Sequence, residues 1–431
     1  MVTAKAAVKK LLGPNLVKVI NAGRSSLRDY PQYLTGGGRA GRLRCLDIEI
    51  TFRCNARCRM CPLYGEHRDT ESRVALPKHR KELSTSQVQT VLEQCGQMGT
   101  RDLQFTGGEP FLRDDLPALI GFAKQMGMKV GVITNGSVLS DERAYAISAA
   151  GLDWLHISLD GPGEVHNSIR RVPNMFARIE ANLAALQAHR QRLKRANPVV
   201  SVGCTVSALN QFNLHDLVPI AARWQARLIL RPIFFAFDGD NGQAPNSSSS
   251  IKPENWVLPE RIRDVDVDQL AAELSLVRRL GREHGVAVSV EMGSSASQLW
   301  KEYFSHSYLA NNKCLYPWYA TRMNPYGDIY NCSLQTFMGN VLEQPLASIW
   351  NSERYVSFRQ TLRTEGVFPQ CARCCALNPD DLVLRLLPRF RWGAQTASLV
   401  EGIPCPAEPA SGTAGQQAPA QTKRVGGRPA A

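Results

Sequence analysis

Short runs of β type and longer helical patterns alternate along most of the chain. The β-type runs fall at residues 44–51, 102–106, 128–134, 154–159, 199–207 and 226–233, and the helical patterns between them at 85–97, 114–126, 141–149, 174–189 and 214–224. Six strands separated by five helices predict a parallel α/β sheet, closed or partly closed into a barrel. Right-handed crossovers would bring every strand's C-terminal end to one rim. A Gly-, Ser-, Asn- and Pro-rich stretch at 238–266 predicts a loop or flap, followed by a helix at 267–284 and a short strand at 286–291. From Cys314 to about Cys375 the chain becomes a cysteine-bearing module, with a helix expected over 346–362. Beyond Cys405 it is Ala-, Pro-, Gly- and Gln-rich, the composition of a disordered tail.

The 431 residues are 44% hydrophobic and 21% charged, the balance of a globular enzyme of two or three structural units. No apolar run reaches the roughly 18 residues of a spanning helix, and the N-terminus lacks a secretory apolar core, so the expected home is the cytoplasm. The net charge of +13 sits at the ends. Residues 1–44 hold nine Lys/Arg and one Asp (+8), residues 382–431 six and two Glu (+4), which leaves +1 for the body. A nearly neutral body between basic ends speaks against a nucleic-acid-binding core. The leader segment Ala6–Ile20 and the segment 382–392 mix Leu, Val, Phe and Trp with Lys and Arg. That mixture suits packing onto the barrel, or weak peripheral contact with an anionic membrane.

Twelve cysteines are many for a reducing compartment, where they point to metal or redox sites. Cys54, Cys58 and Cys61 follow the first strand at C-x3-C-x2-C spacing. Three thiolates so spaced can hold three irons of a cubane and leave the fourth open; zinc would want a fourth protein ligand, and none lies nearby. Thr106-Gly107-Gly108-Glu109-Pro110 follows the second strand, Asn135 the third, and Ser158 and Asp160 the fourth. Glycines allow close backbone approach to a ligand, Glu109 can accept from an ammonium group, and the hydroxyl, amide and carboxylate suit ribose hydroxyls or simply cap the next helix.

The trio and these motifs, in this order, resemble the radical S-adenosylmethionine (SAM) superfamily across residues 44–235, although Met60 stands where the family often has an aromatic residue. The resemblance implies a partial (β/α)6 TIM-like barrel, with a [4Fe–4S] cluster on Cys54, Cys58 and Cys61. Its open iron would chelate SAM and cleave it to a 5′-deoxyadenosyl radical. It further implies SAM contacts from Gly107, Gly108, Glu109, Pro110, Asn135, Ser158, Asp160 and Arg170, and a reductant such as flavodoxin or ferredoxin.

Cys314, Cys332, Cys371 and Cys374 supply four soft ligands, which suit zinc or a closed iron–sulfur cluster alike. Their setting, with the turn from Gly327 to Cys332, the Gly339-Asn340 pair, Ser348-Ile-Trp350 and the final C-x2-C, resembles the SPASM/twitch extension of radical SAM enzymes. One auxiliary [4Fe–4S] cluster is implied, with Cys375 a conceivable substitute ligand. Cys45 and Cys95 read as core residues. Cys204 and Arg231 lie on the fifth and sixth strands: the thiol is either core or a hydrogen-atom donor inside the barrel, the guanidinium either a structural ion pair or a grip on an anionic group. The expected organisation is a leader (1–43), barrel (44–235), insertion and connector (236–313), auxiliary domain (314–380), basic amphipathic segment (381–404) and tail (405–431). The expected function is oxidation or modification of a small molecule or peptide, with a non-catalytic scaffold or RNA modification as the alternatives.

Overall fold

Leu46, Ile48 and Ile50 are almost wholly buried, while Asp47 and Glu49 between them are only partly covered. Alternation on one strand thus sets an oily face against a polar one. The computed structural model describes residues 32–61, 80–233, 264–291, 304, 314–332, 336–365 and 374. Its strands β1 (Cys45–Thr51), β2 (Asp102–Gly107), β3 (Lys129–Thr134), β4 (Trp154–Ser158), β5 (Val199–Val206), β6 (Arg227–Pro232) and β7 (Val288–Val290) pair in parallel, each with the next.

Helices α1 (Thr85–Gln97), α2 (Leu116–Gln125), α3 (Asp141–Ala150), α4 (Gly163–Arg170), α5 (Met175–Arg192), α6 (Leu217–Arg223) and α7 (Val267–Glu283) connect or follow these strands. Their apolar faces, with Val88, Leu92, Leu119, Ile147 and Leu183, join the outward residues of the strands in one core. Local chemistry fixes several ends. Ser84 and Gln87 form a reciprocal capping box on α1. Ser140 caps α3, which stops at Gly151 with φ 83°.

The cysteine-bearing module extends this sheet. Strand β8 (Ala320–Met323) pairs in parallel with β1, and β9 (Asp328–Tyr330) and β10 (Phe337–Asn340) continue it antiparallel. The described strands therefore form one ten-stranded sheet, in the order β10-β9-β8-β1-β2-β3-β4-β5-β6-β7. Neither β8 nor β10 is evident as a strand in the sequence, because each has four residues and is held by its neighbours.

The helix expected over 346–362 divides into α8 (Leu346–Trp350) and α9 (Glu353–Glu365). At the break Ser352 Oγ accepts from Tyr355 N–H at 3.3 Å and so caps α9, while the Asn351 side-chain amide accepts from Ala40 N–H and donates to Ala40 C=O, both at 2.9 Å. Arg359 of α9 stacks over both the Trp350 and Tyr355 rings, 4.2 and 4.1 Å from their centroids, and donates to Pro317 C=O at 2.7 Å. Part of the basic leader is thereby tied to the module: Trp350 Nε1 donates to Gly41 C=O, and Tyr33 packs on Trp318.

No helix among the described residues is long and apolar enough to cross a membrane. The leader before residue 32, residues 238–263 of the loop, Cys371, Cys375, Cys405 and the segments 381–404 and 405–431 lie outside the described residues.

Candidate functional site

Where β1 ends, the chain turns into the first cysteine loop, and neighbours on three sides fix its backbone. Thr51 Oγ1 and Phe52 N–H donate to Glu82 Oε1 at 2.9 and 2.8 Å. Arg59 N–H donates to Ile169 C=O at 2.9 Å, which docks the loop on the C-terminal end of α4. Asn55 donates to Ser137 Oγ and accepts from Asn135 Nδ2, both at 2.9 Å. Asn135 thus spends its amide on the loop and on Ser137, whose N–H and Oγ both donate to Asn135 Oδ1.

The two glycines at the end of β2 make the closest approaches to backbone. Gly108 N–H donates to Thr51 C=O at 2.7 Å, and Glu109 N–H to Arg53 C=O at 2.8 Å. A Cβ on Gly107, which has φ +128°, would lie 2.3 Å from Thr51 O, and one on Gly108 would lie 2.2 Å from Arg53 O. The close backbone approach made by these glycines is to the cysteine loop itself. They brace the loop whatever ligand lies beyond it.

Glu109 is fully buried at the next position. Its Oε1 accepts from Thr134 Oγ1 at 2.6 Å and from Phe111 N–H at 3.1 Å, and its Oε2 accepts from Asn135 N–H at 2.8 Å. Burial pushes its carboxyl up, opposed by these bonds and by the charge of Arg170. Pro110, also buried, opens the short 3-10 turn that Glu109 caps. Oε2 keeps acceptor capacity for one more donor. If Glu109 receives the ammonium of SAM, as the family resemblance implies, Glu109→Gln is expected to retain the iron of both sites and to bind SAM one to two decades more weakly, about 1.5–3 kcal/mol for a charged hydrogen bond. Isothermal titration with SAM checks this, and an unchanged affinity would remove Glu109 from the binding site.

The three cysteines come together. Cys58 is buried, Cys54 and Cys61 are partly so, and Cys61 N–H donates to Cys58 C=O at 3.0 Å. Burial pushes the Cys54 thiol up to about 11; the Ala56 backbone opposes this, and the neighbouring Cys58, Glu109 and Cys61 add to it. A thiol so penalised suits a cationic centre that takes up its charge and displaces its proton. In the second set, burial drives the Cys314 thiol strongly upward, and Cys332 and Cys374 add to the effect. Those three also lie within one another's field, while Cys371 is outside the described residues. Among the described residues, no three His, Cys, Asp or Glu side chains are drawn in to the spacing of a single ion. The donor chemistry fits a multi-iron group at each place.

Asp160 and Arg170 pair with each other. Arg170 Nε lies 2.6 Å from Asp160 Oδ2, and Arg170 Nη1 donates to Cys58 Sγ at 3.6 Å. Asp160 Oδ1 accepts from Thr205 N–H at 3.1 Å. Ser158 ends β4 opposite Gly203, half-buried on the face turned away from the helices.

Cys204 takes the core position, the first of its two readings. It shares the helix-facing side with Val202 and Val206, is 2% exposed, and its thiol accepts from Asn210 Nδ2 at 3.3 Å. Strand alternation turns Gly203 and Thr205, not Cys204, into the barrel, so the thiol is not placed to serve a substrate radical there. Arg231 makes a bidentate pair with Glu291, at 2.7 and 2.8 Å, as the structural reading of it expects.

The barrel's inner face carries groups that the sequence alone did not single out. Tyr316 Oη donates to Asp47 Oδ2 at 3.1 Å, Gln104 Nε2 to Asp47 Oδ1 at 3.3 Å, and Arg322 Nη2 to Glu49 Oε1 at 3.3 Å. Burial raises both carboxyls, against the pull of Arg322. His156 lies across Gly203, where a Cβ would meet its ring at 1.8 Å, with Nδ1 3.0 Å from Ser201 Oγ. Burial, reinforced by Arg231, lowers that imidazole to about 4 and keeps it neutral. One signal could have found the acids: charges alternating within a central parallel strand, where both faces are ordinarily apolar.

Residues 48–210 match the family described as the Radical SAM superfamily, and residues 314–375 match SPASM, an iron–sulfur cluster-binding domain. The chain is 25% identical over 335 residues (76% of its length and 79% of the relative's) to the PqqA peptide cyclase of Xanthomonas oryzae pv. oryzae. It is 25% identical over 342 residues (77% and 88%) to the AdoMet-dependent heme synthase of Methanosarcina barkeri. Among solved structures, Streptococcus suis SuiB bound to S-adenosylmethionine superposes with a TM-score of 0.54 at 13% identity, covering 84% of this chain and 78% of that one. SuiB bound to precursor peptide SuiA gives 0.53 at 14% identity, covering 78% and 71%. Likeness at that identity speaks to the fold.

Proposed function

We infer the reaction from a plain premise: the chain is an enzyme of the radical SAM superfamily with a C-terminal SPASM-type domain, whose cofactors are a SAM-binding [4Fe–4S] cluster, SAM and an auxiliary iron–sulfur cluster. We propose that it oxidises or cross-links a peptide held inside the barrel. When bound, the cofactors supply one-electron chemistry that takes a hydrogen atom from carbon. In this reading Cys54, Cys58 and Cys61 hold the first cluster, with Cys314, Cys332, Cys371 and Cys374 at the auxiliary one. Glu109 receives the ammonium of SAM, and Gly107, Gly108 and Pro110 shape the wall beside it. Asn135 positions the cysteine loop, and Ser158 faces the cofactor from the end of β4.

One observation carries the reading. The auxiliary module joins the sheet at the β1 edge, and its Tyr316 and Arg322 bond to Asp47 and Glu49 on the barrel's inner face. The inner wall thus carries acids, an arginine and a neutral imidazole. Such a wall orients a substrate's polar groups and can accept a proton from it. The relatives that act on or bind peptides, PqqA peptide cyclase and SuiB, support a peptide as the substrate class.

The test is mass spectrometry after the reduced, reconstituted enzyme meets candidate peptides encoded beside its gene, with deuterium at carbon. Loss of two hydrogens from a peptide, with deuterium appearing in 5′-deoxyadenosine, is the expected result. A changed small molecule with every peptide left intact would favour the small-molecule reading, for which the heme synthase likeness speaks.

A further inference from the structure

Arg170 stands at the end of α4 with its side chain 12% exposed, and its two sides face different groups. Nε meets Asp160 Oδ2 at 2.6 Å, and Nη1 meets Cys58 Sγ at 3.6 Å. The backbone repeats the junction, since Arg57 N–H donates to Arg170 C=O at 3.4 Å and Arg59 N–H to Ile169 C=O at 2.9 Å. Asp160 is itself immobilised. Its Oδ1 accepts from Thr205 N–H, its N–H donates to His166 Nδ1 at 3.1 Å, and its C=O accepts from Asn210 Nδ2 at 2.8 Å. His166 is fully buried and neutral, because burial and then Arg170 drive its imidazole well below the usual range, so it adds no charge. The charged groups tied to this side of Cys58 are the guanidinium next to the sulfur and the carboxylate behind it, with Glu109 also within the field of Arg170.

We propose that Arg170 is a positioning residue for the first cluster: it donates to the Cys58 sulfur and, oriented by Asp160, sets the reduction potential of that cluster. This goes beyond the function proposed above and rests on its assignment of Cys58 as a ligand. Reduction adds a negative charge to the cluster. A cation held beside a ligand sulfur, in surroundings of low dielectric, favours the reduced state and raises the potential, and a hydrogen bond to the sulfur acts in the same sense. The carboxylate behind the guanidinium offsets part of that field, so the two residues have opposite effects. An arginine whose task was to grip the SAM carboxylate would act only when SAM is present.

The experiment is an EPR-monitored redox titration of the full-length, reconstituted enzyme without SAM. The first cluster is identified as the signal that changes when SAM is added afterwards. Arg170→Gln is expected to shift its potential negative and Asp160→Asn to shift it positive, while the auxiliary signal stays in place. Iron content and thermal midpoint confirm that each variant is folded and loaded; if Arg170→Gln does not load, the sign of the Asp160→Asn shift decides. Shifts of the same sign in both variants would mark the pair as merely structural and overturn the proposal. An unchanged potential in Arg170→Gln, with weaker SAM binding, would overturn it in favour of a carboxylate contact. The underlying ligand assignment fails separately, if Cys58→Ala retains the SAM-responsive signal.

Discussion

Replacing Cys54, Cys58 and Cys61 together by Ala is expected to lower the iron content of the reconstituted protein from about eight to about four atoms per chain. Reductive cleavage of SAM should fall to background. The three sulfurs belong to one loop whose backbone is held by Glu82 and α4 and whose Asn55 side chain is held by Asn135, so the triple change removes ligands without removing the loop's supports. The second cysteine set is untouched and should keep its iron. Quantitation of iron and of 5′-deoxyadenosine checks both statements. Full iron retention by the triple variant would refute the assignment. Replacing Cys314 and Cys332 should do the reverse, sparing cleavage of SAM while stopping substrate turnover. Stoichiometric zinc at that second site would instead make it structural.

Gly108→Ala should be nearly as damaging, although it removes no ligand. The added Cβ would sit 2.2 Å from Arg53 O and 2.7 Å from Phe52 O, both backbone atoms that cannot swing aside. The segment entering Cys54 would have to move, and a displacement on the order of 1 Å at a reacting site costs about 10²-fold in rate. We expect weak or absent loading of the first site and a fall in SAM cleavage of about that size or more, with the auxiliary site intact. Gly121→Ala is the matching control. Gly121 lies within α2, nothing comes within 4 Å of its added Cβ, and the change should be neutral or stabilise by about 0.5–1 kcal/mol. If both variants load and cleave alike, the glycines do not brace the loop.

Much of the barrel is legible along the chain, because period, caps and turn residues are properties of neighbours in sequence. The helical stretch expected at 85–97 has those limits in the structure, where Ser84 and Gln87 close its start. The strand at 199–207 ends only one residue early, and the helix at 267–284 likewise. The spacing of Cys54, Cys58 and Cys61 directly after a strand is legible for the same reason. Helix α4 was harder to see: eight residues with no side-chain cap at Pro162 carry little local signal.

Other features depend on which distant residues meet. Asp160, Arg170 and Cys58 come from three segments, and only the docking of α4 on the cysteine loop brings the Arg170 guanidinium to the Cys58 sulfur. The Gly-Gly pair announces a close approach but not to what; the structure brings Thr51 and Arg53 against it. Cys204 illustrates how strand alternation decides: one residue either way would have turned its thiol into the barrel.

The sequence by itself determined the succession of strands and helices, the two cysteine sets and the side-chain chemistry available at the strand ends. These follow from short-range periodicity and from residue type. Tertiary structure alone decided that β8 joins the β1 edge and brings Tyr316 and Arg322 to Asp47 and Glu49. The physical reason is that a four-residue strand has too little intrinsic preference to form or choose a partner alone. Its place is set by the open edge it can pair with and by the core that closes over it.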